Sequence, residues 1–230
     1  MIRKLIYLLA IVFAGIIMWQ LFSDFEGNEQ LNKTGHYYAE TGPGETGAAN
    51  LVTAVLVTYR GLDTLGEVTI LFTVAAIIAF FMKASKQEFH PRRRVTEILT
   101  TAARILVPGT MLLGAYIFIN GHLTPGGGFQ GGAVISSGFV LMLLAFPEAS
   151  LSHKTITWVE SVSGFSFVLL GLLGIALAGG FLDTSFLPLG KFGSLFSAGA
   201  IPLIYIFIGL KVGAELSNVV GHMHEIQKEN

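Results

Sequence analysis

GHLTPGGGFQGG, residues 121–132, places six glycines and a proline in twelve positions. A long apolar run lies on each side of it, and Ala133–Phe146 is broken only by Ser136, Ser137 and Gly138. No Gly-Lys-Ser/Thr ending follows, so the stretch does not match a phosphate-cradling loop. Backbone polar groups are not tolerated facing lipid, so this piece must sit at a membrane interface or be buried against protein. The expected fold is therefore a set of membrane helices, with bare, close-approaching backbone set between two of them.

Composition extends this reading to the whole chain. Its 230 residues are 52% hydrophobic and only 13% charged, with a mean hydropathy of +0.66, which excludes an ordinary soluble domain. A span needs ~20 mostly apolar residues. Six are expected, at Leu5–Phe22, Val68–Met82, Val95–Ile119, Gly127–Phe146, Thr155–Ala178 and Leu195–Val212. The apolar piece Ala48–Tyr59 is separated from the short second run by RGLDTLGE and reads as a helix at the surface or dipping partly into the membrane, with a seventh span as the alternative. The first run is longer than a usual signal-peptide core and lacks a small-residue cleavage site, so it is expected to stay as a span.

Lys and Arg counts set the expected orientation. With six spans, one side carries Arg3, Lys4, Lys83, Lys86, Arg92, Arg93, Arg94, Lys154, Lys211 and Lys228, and the other carries Lys33, Arg60 and Lys191. The positive-inside rule then puts both termini in the cytoplasm, in a multi-pass protein of the cell (inner) membrane. No cysteine is present, which excludes thiolate-held iron–sulfur clusters and disulfides. No cofactor is expected in this chain, and no basic patch points to nucleic acid.

The polar stretch KASKQEFHPRRR, 83–94, divides the chain as a basic cytoplasmic linker. Residues 1–82 then form a two-span module with an acidic outer loop, and 95–230 a four-span module with a cytoplasmic tail. No internal repeat supports an inverted-repeat carrier. Two spans plus four, with few buried charges, reads as a subunit packed sideways against other membrane proteins.

Ionisable residues within spans are expensive and are functional candidates by default. Asp63 and Glu67, four apart, share one helical face, with Arg60 as a cationic neighbour. Either they bind a hard cation such as Na+, whose preference is for oxygen ligands, or Asp63 caps a solvated turn. Glu97 and Arg104 lie seven apart on the third span; Arg104 needs a partner there, in Glu97 or on another subunit, unless it snorkels to the surface. Pro108-Gly109 is expected to loosen that span. Glu160 reads as interfacial, and His122 as interfacial or as a proton relay. Pro125 and the glycines after it form a tight turn, and Phe129, the bulky side chain there, would gate any gap they leave.

The motifs carry a family resemblance. GHLTPGGGFQGGAV at 121–134 resembles the B subunit of Mrp-type multisubunit Na+/H+ antiporters, a likeness covering most of residues 92–222. VLVTYRGLDTLGE at 55–67 resembles the small E-type domain of membrane-bound hydrogenases, found in classical Mrp antiporters at the C-terminal end of the large subunit. The resemblance implies a non-catalytic membrane subunit of an antiport module, within an energy-converting respiratory complex, whose partners are other membrane subunits, Na+, H+ and lipid. It also implies that Asp63, Glu67, Pro125 and Phe129 lie along a Na+ path, with Arg104 setting the local potential. The alternatives are a subunit that only packs and seals the complex, or an independent channel or small transporter.

Overall fold

The computed structural model describes residues 2–23, 31–84 and 95–226. Among them every regular element is helical. The helices are α1 (Ile2–Ser23), α2 (Lys33–Thr46), α3 (Leu51–Ala54), α4 (Gly61–Ala84), α5 (Glu97–Ile119), α6 (Gly128–Ala145), α7 (His153–Ala178) and α8 (Ile201–Ile226), with a π-helical turn at Val55–Tyr59 and a 3-10 turn at Thr184–Phe186. Six helices among the described residues, α1 and α4 to α8, are long and apolar enough to cross a membrane. The all-α, six-span expectation therefore holds. Met1–Tyr37 and Tyr38–Asn230 form two compact units. The first holds α1, whose apolar window is entirely exposed, and the start of α2. Most of the expected linker, 85–94, lies outside the described residues.

In the second unit α8 is the central element, packed against α4, α5, α6 and α7. Its apolar window is 56% buried, against 39% or less in the other spans. Helix starts follow from local chemistry. Asn50 accepts from the Val52 and Thr53 amides at the head of α3, Thr96 accepts from Leu99 at α5, and Ser152 accepts from Thr155 at α7; each satisfies a donor that the first turn leaves free. Gly179 ends α7 in the left-handed region (φ 91°), where its N–H meets the Gly174 carbonyl. A side chain at that φ would be strained.

Two boundaries differ from the sequence expectation. The second span starts at Gly61 and takes GLDTLGE into its first turns, so its length no longer falls short. The last span starts at Ile201 and continues to Ile226. The expected tail is thus helix as far as that residue, and Lys211 is not a residue of a cytoplasmic end. It lies ten residues into α8, about 15 Å along the axis, inside the stretch Ile201–His224 that is long and apolar enough to cross a membrane. Lys211 and Glu215 are the buried charged residues among those described, so the expectation of few buried charges holds.

Ala48–Tyr59 does not form a seventh span. It is the short α3 and its π-helical extension, with Ala48, Thr53, Ala54 and Val57 buried. The core forms around it from Val68 of α4, Phe167 of α7, Leu182 and Ala198 of the α7–α8 connection, and Ile201, Ile204, Tyr205, Ile208 and Val212 of α8.

Candidate functional site

The glycine-rich stretch is the first part of the site. Asn50 donates from Nδ2 to the carbonyls of Gly121 and Thr124, each at 2.9 Å. Thr53 Oγ1 donates to the Gly121 carbonyl at 2.6 Å, and the Tyr205 hydroxyl donates to Thr53 Oγ1 at 3.1 Å. The loop between α5 and α6 is thereby pinned to α3 and α8, and its Gly121 and Thr124 carbonyls are satisfied inside the protein, as a membrane demands. The glycines serve close approach. A Cβ on Gly121 would sit 2.6 Å from the Tyr205 ring, one on Gly128 2.6 Å from Ile208 Cβ, and one on Gly132 2.7 Å from the Gly209 carbonyl. This is the small-residue helix packing of membrane proteins. Pro125 is exposed on the loop, and Phe129 is partly buried against the core.

His122 lies under this loop. It is fully buried, and neither ring nitrogen has a hydrogen-bond partner. Burial lowers its pKa from 6.5, opposed more weakly by the nearby backbone of Ser194, Leu195 and Ile119, none of which meets hydrogen-bond geometry. It is a core histidine rather than an interfacial one.

Asp63 and Glu67 lie in the first turns of α4, both exposed. Arg60 Nε donates to Asp63 Oδ2 at 2.7 Å, and this pair is itself open, with side chains 61% and 53% exposed. Glu67 has no ion pair or hydrogen bond among the described residues. Arg104 and Glu97 are both exposed on α5 and do not pair. The structure therefore does not gather these charges into one cavity, and no cluster of three or more acidic or histidine side chains able to hold a metal occurs among the described residues.

A second group of charges lies deeper. On α8, Lys211 Nζ donates to Glu215 Oε1 one turn on; the Lys211 side chain is 11% exposed and that of Glu215 0%. The other carboxylate oxygen of Glu215 is buried without a partner. Lys211 also lies over the Phe72 ring of α4, 5.0 Å from its centroid, a cation–π contact. Beside the pair, α4, α7 and α8 enclose an open groove of about 310 Å³ whose polar lining is Thr69, Glu160, Ser161 and Lys211. Glu160 is within electrostatic reach of both Lys211 and Glu215. Sequence reading missed Lys211 and Glu215 because the apolar window was closed at Val212. The signal was present: KVGAE is an i, i+4 Lys–Glu pair flanked by apolar turns on both sides.

Six candidate spans, four of them packed around a fifth, the buried α8, together with a backbone-packed glycine loop and a buried Lys–Glu pair, define a polytopic membrane subunit. Residues 98–218 match the family described as "Domain related to MnhB subunit of Na+/H+ antiporter", and residues 2–100 match the family of the E subunit of MBH. The chain belongs to the MnhB-related family. An uncharacterised protein of Methanocaldococcus jannaschii is 32% identical over 196 residues, 73% of this chain and 74% of the relative. A probable K+/H+ antiporter A/B subunit of Rhizobium meliloti is 33% identical over 54% of this chain and 15% of its own length. Among solved structures, a chain of the membrane-bound sulfane sulfur reductase, an archaeal respiratory membrane complex, is 42% identical with a TM-score of 0.83, over 97% of this chain and 98% of its own. The Mrp complex from Dietzia sp. DQ12-45-1b matches with a TM-score of 0.78 at 25% identity, over 96% of this chain and 26% of that one. Both similar structures are parts of multisubunit membrane complexes.

Proposed function

We propose that this chain is a cell-membrane subunit of a cation/proton antiport module within an energy-converting respiratory complex, and that it contributes to the cation path. The observation that carries this is the exposed acidic face of α4. Asp63 and Glu67 stand at the head of a span, and Glu67 has no partner within the described chain. A carboxylate in that position is costly against lipid, so neighbouring subunits or water must meet it. Na+ is the expected ion at Asp63 and Glu67, near the outer mouth. Pro125 and Phe129 shape the adjoining passage, and Arg104 pairs with a carboxylate on a neighbouring chain. Both termini face the cytoplasm in this arrangement, because removing Lys211 from the count leaves the basic residues still concentrated on their side.

The respiratory setting is supported by the match across nearly the full length of a single chain of the sulfane sulfur reductase, which covers both the E-like and the B-like parts. The test is Asp63→Asn with Glu67→Gln in the assembled complex, reading Na+- and K+-dependent collapse of a pH gradient in vesicles. The proposal expects transport to fall about tenfold, a change of 1.4 kcal/mol in the path, with assembly intact. Unchanged transport would mean that the chain packs and seals the complex without touching the ion.

A further inference from the structure

We propose that Glu160, with the Lys211–Glu215 pair behind it, is a proton-binding site that opens on the α4/α7/α8 groove. This does not depend on whether Asp63 and Glu67 take a cation. Charge is the first consideration. Two carboxylates and one ammonium lie together at membrane depth, and a single Lys211 neutralises one carboxylate at a time. It is engaged by Glu215, which is wholly buried and keeps one oxygen unpartnered. Glu160 remains, facing the groove. A net negative charge there is expensive, and one proton removes it: H+ adds to a Glu160 carboxylate oxygen, no bond breaks, and the trio goes from −1 to neutral.

The ligand is a proton rather than Na+ because the groove is poor in oxygen ligands. Hard metal cations gather about six oxygens, whereas the polar side chains lining the groove are those of Thr69, Glu160, Ser161 and Lys211. Gly164 gives the lysine stem its room, since a Cβ there would come within 3.3 Å of Lys211 Cδ. The stem thus passes against α7, the helix that carries Glu160, and Lys211 is within electrostatic reach of that carboxylate. The α4 wall adds no ionisable side chain to the groove, α6 contains none, and Glu97 and Arg104 of α5 are exposed.

Infrared difference spectra of the purified complex in lipid, recorded over stepped pH, test this. The wild type is expected to show the C=O band of a dehydrated carboxylic acid. Glu160→Gln removes one such carboxyl per chain, while Asp63→Asn with Glu67→Gln leaves it in place. Superimposable wild-type and Glu160→Gln spectra overturn the proposal. Should Glu160→Gln fail to assemble, Glu160→Asp keeps the acid and must move the band's frequency. A band that stays where it was does not belong to Glu160, and the proposal falls.

Discussion

The Tyr205 hydroxyl of α8 donates to Thr53 Oγ1 of α3 at 3.1 Å, and Thr53 in turn donates to the Gly121 carbonyl. Two hydrogen bonds thereby join the E-like segment, the central helix and the glycine-rich loop. Hydrogen bonds between membrane helices average about 0.6 kcal/mol. Tyr205→Phe is expected to cost about that much in detergent unfolding. Thr53→Val should cost more, about 1–3 kcal/mol, because it leaves a buried carbonyl with one donor fewer and the tyrosine hydroxyl without its acceptor.

The glycines divide into two classes with opposite predicted effects. Gly132→Ala forces a methyl against the Gly209 carbonyl and Val212, and is expected to destabilise by about 1–3 kcal/mol. Gly66→Ala and Gly109→Ala meet nothing within 4 Å. Both lie inside helices, where alanine is preferred by roughly 0.5–1 kcal/mol. Unfolding of the three variants side by side checks the contrast.

How far the sequence foretold this is clear from the same residues. The apolar runs gave six spans because apolar length is the property a membrane selects. GHLTPGGGFQGG announced close backbone approach, though which helix would fill the space, α8 with Tyr205, Ile208 and Gly209, depends on tertiary packing. The polar helix α2 was hidden by its Gly and Pro content, which argues locally for loop. Lys211 and Glu215 escaped because each alone resembles the polar margin of a span. Only the continuation of α8 beyond Val212 makes them a pair inside one candidate span.

That pair has its own energetic signature. Lys211→Met leaves Glu215 buried without its cation, and Glu215→Leu leaves the lysine likewise. Each is expected to cost about 3–5 kcal/mol, whereas Lys211→Met with Glu215→Leu should come back near the wild type. Assembly yield and unfolding of the purified complex read this cycle. Additive single effects would show that the two side chains do not act as a pair.

His122 predicts a pH dependence with a fixed sign. Its lowered pKa means the folded chain favours the neutral ring. Above pH 6.5 folded and unfolded states are both neutral and the residue contributes no slope. As pH falls below 6.5, the unfolded chain takes up a proton that the folded chain refuses, so stability declines until the folded ring also protonates. Thermal unfolding of wild type and His122→Leu between pH 8 and 5 should give similar midpoints at the upper end and a shallower acid decline in the variant.

A cation path through this chain requires that the acidic head of α4 meet a hydrated passage in the assembled complex. The chain has no native cysteine, so Glu67→Cys and Ile70→Cys, two exposed positions of the same helix, can be compared with a small hydrophilic thiol reagent. Position 67 is expected to label, and to label more slowly when Na+ is added, while position 70 stays unmodified. A Glu67→Cys chain as inert as the Ile70→Cys chain would contradict such a path.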